Sequence, residues 1–151
     1  MMTSDPHPVD PRRRDALRGL LADPRQGGLA EESFADGRLT LFLPFNVAYV
    51  GNTWTGHIHG GVLTTLLDTV SRGVTVLHIP SHETVIPLDL RVDHLRPGSG
   101  LQGLRARAIC RRVTETVVFV EADVLDIATH AVIVYGTTSL LRTPIGDVGD
   151  E

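Results

Sequence analysis

The chain has 151 residues, of which 42% are hydrophobic, and a formal net charge of −4. This length suits one compact domain with its own core, and the acidic balance gives no support for a nucleic-acid partner. No apolar run reaches bilayer-spanning length and no leader pattern follows Met1, so we expect no membrane partner and a cytoplasmic location. All fourteen basic residues are arginine, which excludes Schiff-base chemistry on lysine.

Sequence motifs for bound cofactors are also missing. The chain has no Gly-x-Gly-x-x-Gly run that follows a strand and opens a helix, no Gly-Lys-Ser or Gly-Lys-Thr phosphate loop and no Gly-x-Ser-x-Gly nucleophile elbow. The single cysteine, Cys110, stands at an alternating position of a strand-like run, where a small buried hydrophobic residue is expected. We therefore predict a protein without an organic cofactor and without a cysteine nucleophile.

The two ends of the chain differ in composition from its centre. Residues 1–9 are polar and rich in proline, residues 146–151 are acidic and rich in glycine, and both are predicted to be flexible. Residues 10–145 are predicted to form a single domain. This domain begins with Asp10-Pro11, which combines a typical N-cap with a residue favoured at the first helical position. A short helix that ends near Ala22 follows from this start.

Apolar and polar residues alternate in several later segments, which predicts strands. The first two are separated by Asp36-Gly37, a pair typical of a tight hairpin turn. Four longer segments with short connections indicate an antiparallel sheet with one covered face. The six predicted strands are residues 28–34, 38–45, 84–95, 102–113, 116–125 and 130–142. A loop from Asn46 to Ile58 is predicted between the second strand and a central helix.

The central helix is predicted from an apolar stripe that recurs with helical period and ends near His78. This core face carries Val62, Leu63, Leu66, Leu67, Val70, Val74 and Leu77. Asp68 lies on the opposite face, among Thr64, Thr65, Thr69, Ser71, Arg72 and Thr75. An ordinary solvated face would carry lysine and glutamate, so this small, hydroxylic face suits close approach to a second surface or a ligand.

The start of this helix, His59-Gly60-Gly61, carries the second part of a possible active site. Glycines have no Cβ to block a ligand, and the first N–H groups of a helix can bind a carbonyl oxygen that gains negative charge. Gly60 and Asp68 are eight residues apart, about 12 Å along the axis, which is too far for one reacting carbon. Two antiparallel copies of the helix could bring them together. The sequence therefore predicts an active site that needs a dimer.

These residues resemble the hot-dog-fold acyl-CoA thioesterase superfamily, of the phenylacetate-pathway (PaaI-like) type, over roughly Asn46 to Leu141. The resemblance rests on Gly56-x-x-His59-Gly60-Gly61, on Leu66-Leu67-Asp68-Thr69, and on the run from Leu88 to Pro97. It implies an α+β hot-dog fold, in which a curved antiparallel sheet wraps around a long central helix. It also implies a homodimer or homotetramer that acts on an acyl-CoA.

The resemblance implies a role for each residue that matches the motif. Asp68 would be the catalytic carboxylate, as nucleophile or as base for water, and the Gly60 N–H of the opposite subunit would polarise the thioester carbonyl. Many members have an asparagine six residues before the motif histidine; this chain has Thr53 there, with Asn52 beside it as the candidate replacement. Pro87 stands where a serine or threonine is often found. We expect His59 to fix the loop before the helix rather than to carry protons.

Other residues are candidates for substrate binding. Arg96, Arg111 and Arg112 lie near predicted strand ends, where guanidinium groups could hold the phosphates of coenzyme A, although solvated surface charge is the alternative. The residues that could shape an acyl or aryl pocket are Tyr49, Trp54, Thr69 and Arg72. His57-x-His59 has the spacing of a metal pair, but a helix follows it and the expected glutamate is absent, so no metal site is predicted.

Three functions stay open at this point. The preferred hypothesis is an acyl-CoA thioesterase. The first alternative is a non-catalytic hot-dog module that binds acyl-CoA, which the Thr53 and Pro87 departures favour. The second is a hydratase or dehydratase of acyl thioesters, which needs a histidine and an acid poised over the α and β carbons. No such pair stands out in the sequence.

Overall fold

The structure is a computed structural model that describes residues 9–146. The two segments predicted to be flexible, residues 1–9 and 146–151, lie outside this range except for Val9 and Gly146. Val9 is partly buried against the core. None of the helices within residues 9–146 is long and apolar enough to cross a membrane.

Two helices and eight strands make up the described part of the chain. The helices are α1 (Pro11–Leu21) and α2 (Gly60–Val76). The strands are β1 (Ala30–Ala35), β2 (Arg38–Leu43), β3 (Val50–Asn52), β4 (His57–Ile58), β5 (Glu83–His94), β6 (Leu104–Val113), β7 (Val117–Asp126) and β8 (Ala131–Pro144). Single 3-10 turns lie at Pro24–Gln26 and Val47–Tyr49.

Six of the strands form one antiparallel sheet in the order β1-β2-β6-β7-β8-β5. The apolar stripe of α2 packs on one face of this sheet, and its members are buried apart from the half-buried Val62. The predicted strands and helices agree with the observed ones to within a few residues. The predicted α+β hot-dog arrangement, a long helix on an antiparallel sheet, is therefore confirmed.

Local signals set the N-terminal helix and the first hairpin as expected. The Asp10 carboxylate accepts a hydrogen bond from the Arg12 N–H at 2.9 Å and caps α1. Asp36 and Gly37 have φ values of 53° and 73°, the left-handed pair that a tight type I′ hairpin turn requires. The turn joins β1 to β2 at the place that the sequence indicates.

The polar face of α2 is more buried than its composition predicts, and the N-terminal part of the chain covers a part of it. Thr69 is fully buried and donates to the Gln26 side-chain oxygen at 3.0 Å. Thr75 is buried as well and donates to the Ser71 carbonyl of its own helix at 2.7 Å. Gly73 allows this close packing, since a Cβ there would lie 3.1 Å from Leu17 of α1. The second surface that the small residues of α2 suit includes this chain's own N-terminal segment.

The segment from Asn46 to Ile58, predicted as a loop, contains a two-stranded sheet of β3 and β4. With three and two residues, these strands are too short to show alternation. Ile58 is buried, and its N–H donates to the Gly98 carbonyl at 2.9 Å. The short sheet leads directly into α2 and so fixes the position of its first turn.

Strand β5 lies at the edge of the sheet and, in the described part of the chain, pairs only with β8. The sequence predicts one covered face for it, but Ile86 and Leu88 are 40% and 56% exposed. The ladder with β8 is irregular between Pro87 and Asp89, and proline is tolerated at such edge positions because it has no N–H to donate. Half of the apolar face of β5 therefore has no cover within residues 9–146.

Candidate active site

The first turn of α2 is held by contacts from three sides. The His59 N–H donates to the Tyr49 carbonyl at 2.8 Å. The His59 imidazole caps the helix, since its Nδ1 accepts a hydrogen bond from the Gly61 N–H at 2.8 Å. Gly51 packs against the same residue, and a Cβ on it would lie 3.0 Å from the His59 Cα. His59 is thus a structural cap that fixes where the helix begins.

The two glycines of this turn have different surroundings, although the sequence treats them alike. The Gly61 N–H is used by the His59 cap, and a Cβ on Gly61 would lie 2.9 Å from the His59 Nδ1. The Gly60 N–H has no acceptor among residues 9–146. It stands at the positive end of a 17-residue helix. Gly60 is therefore the residue of this pair whose N–H can bind a ligand oxygen.

His94 lies beside Gly60, although it is not among the residues predicted from the sequence to form the site. A Cβ placed on Gly60 would lie 3.3 Å from Cε1 and 3.7 Å from Nε2 of His94. The two residues are far apart in sequence, so spacing gives no hint of their contact. A weaker signal was present, because His94 continues the alternating series of Leu90 and Val92 and puts an imidazole where an apolar side chain is expected.

Asp68 is half-buried on the polar face of α2 and forms an ion pair within the helix. Its Oδ2 lies 3.0 Å from the Arg72 Nη2, and both side chains are 33% exposed. A pair of this exposure contributes about 1 kcal/mol or less to folding. Within one chain the helix keeps Asp68 two turns away from Gly60, as the sequence predicts.

Asn52 has a different setting from the one that the resemblance implies. Its Oδ1 accepts hydrogen bonds from the N–H groups of Trp54 at 3.0 Å and Thr55 at 3.3 Å. The Gly56 N–H closes the same turn by donating to the Asn52 carbonyl at 2.8 Å. The side chain of Asn52 thus shapes the connection from β3 to β4.

A cavity of about 400 Å³ opens on one side of the α2 start. Its apolar lining is Leu43, Ala48, Val50, Val62 and Leu66, and its polar lining is Arg25, Gln26, Tyr49, His59, Gly61 and Thr65. The Pro24–Gln26 turn forms one wall. Thr69 holds this wall through Gln26, and the Tyr49 hydroxyl holds it by donating to the Gly27 carbonyl at 3.2 Å. The cavity is large enough for a small organic ligand.

The four residues predicted to shape an acyl pocket do not meet in this cavity. Tyr49 lines it, and Thr69 supports its wall from below. Trp54 is 97% exposed at the tip of the β3–β4 turn. Arg72 lines a separate cavity of about 170 Å³ next to α1 and β5.

The three arginines predicted to hold phosphates do not form one cluster. Arg111 forms an ion pair with Glu121 at 2.6 Å, which neutralises its charge. Arg112 is exposed and lies opposite Phe119 of β7, which in turn lies opposite Ser139 of β8. Arg112 is therefore at the level of Ser139 in the sheet. Arg96 is exposed as well. Its N–H donates to the Ile133 carbonyl, which places it at the level of Ile133 in β8. Six strand residues, or about 20 Å, separate these two levels.

The remaining candidates for reactive chemistry are the cysteine thiol and a possible metal site. Burial raises the pKa of the Cys110 thiol to about 12, so the thiol stays protonated at neutral pH. Cys110 packs against the core, as predicted. Among residues 9–146, no three side chains of histidine, cysteine, aspartate or glutamate converge where they could hold a metal ion.

Comparison with protein families gives one match that spans half of the chain. The sequence model of the thioesterase superfamily matches residues 55–132. A Halobacterium salinarum protein named as an esterase is 34% identical over 108 residues, which cover 69% of this chain and 70% of the relative. The family-model match includes α2 and the strands β5, β6 and β7.

Solved structures show the same fold. A Pseudomonas aeruginosa protein has a TM-score of 0.74 at 32% identity, with 90% of this chain and 100% of that chain covered. A thioesterase from Haemophilus influenzae has a TM-score of 0.76 at 18% identity, with coverage of 99% and 100%. The Escherichia coli PaaI protein from the phenylacetic acid degradation operon has a TM-score of 0.74 at 16% identity, with coverage of 90% and 96%.

Proposed function

Because this chain belongs to the thioesterase superfamily, we propose that it is an acyl-CoA thioesterase, which hydrolyses an acyl- or aryl-CoA to the free acid and coenzyme A. Membership of this superfamily supports thioester hydrolysis in general, and we further propose that the thiol carrier is coenzyme A. The observation that carries it is the Gly60 N–H, which has no acceptor within residues 9–146 and no Cβ in front of it. It suits a thioester carbonyl oxygen that gains negative charge.

The reaction then needs a carboxylate on the far side of the carbonyl carbon. We assign this role to Asp68 of a second copy of the chain, because Asp68 and Gly60 of one copy lie about 12 Å apart along α2. The Gly60 N–H binds the carbonyl oxygen, with the positive end of the helix behind it. Asp68 either attacks the carbonyl carbon or takes a proton from an attacking water, and the thiolate leaves. The proposed mechanism uses no metal and no organic cofactor.

The edge of the sheet supports a homodimer. Strand β5 has 12 residues and one unpaired edge, and the exposed Ile86 and Leu88 lie along it. A long, partly apolar edge of this kind is a template for pairing with another strand. Two-fold pairing of β5 edges would place two α2 helices antiparallel on the same side of a continuous sheet. That arrangement brings Gly60 of each copy towards Asp68 of the other, and a homotetramer of two such dimers is compatible with it.

The cavity beside α2 is the proposed site for the acyl group. Its apolar lining, together with Tyr49 and Gln26, suits a short acyl chain or an aryl group. The likeness to the phenylacetic acid degradation protein of Escherichia coli adds aryl-CoA to the candidates. A cytoplasmic location, expected from the sequence, stays part of the same proposal.

The test is thiol release from short, medium, long and aromatic acyl-CoAs by wild type and Asp68→Asn. We expect the variant to lose about 10²- to 10⁴-fold in kcat, as for loss of a catalytic acid or base. The matched control is Asp15→Asn, which changes another helix aspartate that pairs with an arginine, here Arg18. The control should keep wild-type turnover, and all three proteins should have the same oligomeric state.

Two results would overturn the proposal. An Asp68→Asn variant as active as wild type would remove the carboxylate mechanism. A wild type that binds acyl-CoA but releases no thiol from any substrate would favour the non-catalytic binding module. The second result has some structural support, since the Asn52 side chain is used by its own turn.

A further inference from the structure

We propose that His94 is a catalytic residue of this reaction and that its imidazole Nε2 gives a proton to the departing sulfur. The role rests on the proposed thioester hydrolysis. It adds a third group to Gly60 and Asp68, and this group comes from β5 rather than from α2.

The position of His94 is set by the backbone around it. It is the last residue of β5 and pairs with Val134 of β8. The next residue continues the pairing, because the Leu95 N–H donates to the Ile133 carbonyl at 2.9 Å. The side chain of His94 is exposed, and no hydrogen-bond partner of its imidazole lies within residues 9–146. An imidazole whose nitrogens are free can serve a ligand as donor or acceptor.

The two histidines near the helix start therefore have different tasks. The His59 imidazole is committed to the cap, since its Nδ1 accepts from the Gly61 N–H. The His94 imidazole lies against Gly60, whose N–H is the proposed partner of the thioester oxygen. A substrate carbonyl bound at Gly60 would thus place a neighbouring atom of the thioester next to His94.

The surroundings of the first turn of α2 indicate whether the thioester atom next to His94 is the sulfur or a carbon of the acyl group. At 100° per residue, Gly60 and Val62 point to sides of α2 that are about 160° apart. The Val62 side opens into the cavity of about 400 Å³ with its apolar lining, which suits the acyl group. The Gly60 side carries His94. Since the acyl group and the sulfur are the two substituents of the carbonyl carbon, an acyl group in the cavity directs the sulfur towards His94.

The proton balance is simple for either role of Asp68. The C–S bond breaks, its electron pair goes to sulfur, and the sulfur takes the Nε2 proton of the imidazolium form of His94, so that a neutral thiol leaves and a neutral imidazole remains. If Asp68 activates water, the water oxygen joins the carbonyl carbon and its proton goes to the carboxylate, which then gives it to solvent. If Asp68 attacks directly, a mixed anhydride forms, and a water hydrolyses it to the free acid and the Asp68 carboxylate. Solvent returns a proton to His94 in both cases.

The experiment compares two thioesters of one acyl group with different leaving thiols. N-acetylcysteamine is a poor leaving thiol that gains from protonation, whereas 4-nitrothiophenol leaves as a stable thiolate without help. For His94→Gln we expect kcat/KM to fall about 10²-fold with the first substrate and less than about 3-fold with the second. The matched control, His82→Gln, changes an exposed histidine directly before β5 and should behave as wild type with both.

Each alternative has its own result. Equal losses on both thioesters would show that His94 acts on the carbonyl or only shapes the site, and would overturn proton transfer to sulfur. Full activity of His94→Gln with both would remove His94 from the reaction. A wild type that hydrolyses neither thioester nor any acyl-CoA would overturn the proposed function itself, which separates that failure from the failure of this role.

Discussion

The start of α2 and the outer face of the sheet, the face away from α2, use polar residues in opposite ways. On the outer face, arginines pair with carboxylates across strands, as Arg107 does with Asp123 and Arg111 does with Glu121. At the start of α2, the Gly60 N–H and the His94 imidazole have no partner within residues 9–146. The arginines named on the outer face are thus neutralised by neighbouring carboxylates. At the start of α2, an N–H and an imidazole that are both free to contact a ligand lie side by side.

The most direct test of this contrast removes the free Gly60 N–H and keeps α2 folded. Gly60 is the first residue of α2, a position where proline is favoured, and His59 before it has the extended conformation that proline requires. Gly60→Pro should therefore fold and lose about 10²- to 10³-fold in kcat. Gly60→Ala is the matched comparison, because both variants add a Cβ 3.3 Å from the His94 Cε1 and only proline removes the N–H, so the difference in kcat between them reports the N–H. Steady-state thiol release would separate the two.

The same variant tests whether the site is shared between copies. In a mixture of Asp68→Asn and Gly60→Pro chains, half of the dimers pair one chain of each kind, and each such dimer keeps one intact site. Activity should recover to about a quarter of wild type after the chains are unfolded and refolded together. If the mixture stays as inactive as the separate variants, the site lies within one chain.

A smaller effect, on folding stability rather than on activity, is expected from the ion pair of Glu83 and Arg142. Their side chains are 17% and 15% exposed. The hydrogen bond from the Arg142 guanidinium holds the pKa of Glu83 below its ordinary value of 4.5. Stability from this pair is therefore present above pH 4.5 and is lost as pH falls through the lowered pKa. We expect Glu83→Gln to cost about 1 kcal/mol at pH 7 and progressively less below pH 4.5, as measured by urea unfolding. A cost that is independent of pH would contradict the assignment.

The smallest effect should come from the outer face. Arg111→Gln removes one member of an exposed pair, and we expect less than about 0.5 kcal/mol of lost stability and unchanged kcat. An increase in KM for acyl-CoA, absent with N-acetylcysteamine thioesters, would restore Arg111 as a ligand of the coenzyme A phosphates. That result would contradict the contrast between the two regions, because an arginine of the outer face would then bind a ligand.

The elements that local physics decides were predictable from the sequence. The apolar stripe of α2 and the Asp36-Gly37 turn depend on neighbours within a few residues, and both are found where expected. The burial of Thr69 and Thr75 was not predictable, because it depends on whether their hydroxyls find acceptors, here Gln26 and Ser71.

The candidate site was predictable in part. The placement of Gly60 at the start of α2 and of Asp68 on its polar face follows from the helix start and the helical period, and their roles stay predictions. The contact of His94 with Gly60 depends on how a distant strand ends, and the separation of Arg96 from Arg112 depends on strand register. Trp54 and Tyr49 are close in sequence, but only Tyr49 turns towards the cavity. Contacts of this kind arise from tertiary packing, which spacing does not encode.

The wall made by the Pro24–Gln26 turn has a consequence for how this protein can change. Two hydrogen bonds, from Thr69 and Tyr49, fasten a surface turn over the cavity, and the turn contains none of Gly60, Asp68 and His94. Insertions or substitutions in surface turns are well tolerated, since few buried contacts depend on them. Selection or a designer could therefore lengthen, shorten or recharge this wall and obtain a new acyl preference while the reacting groups stay in place.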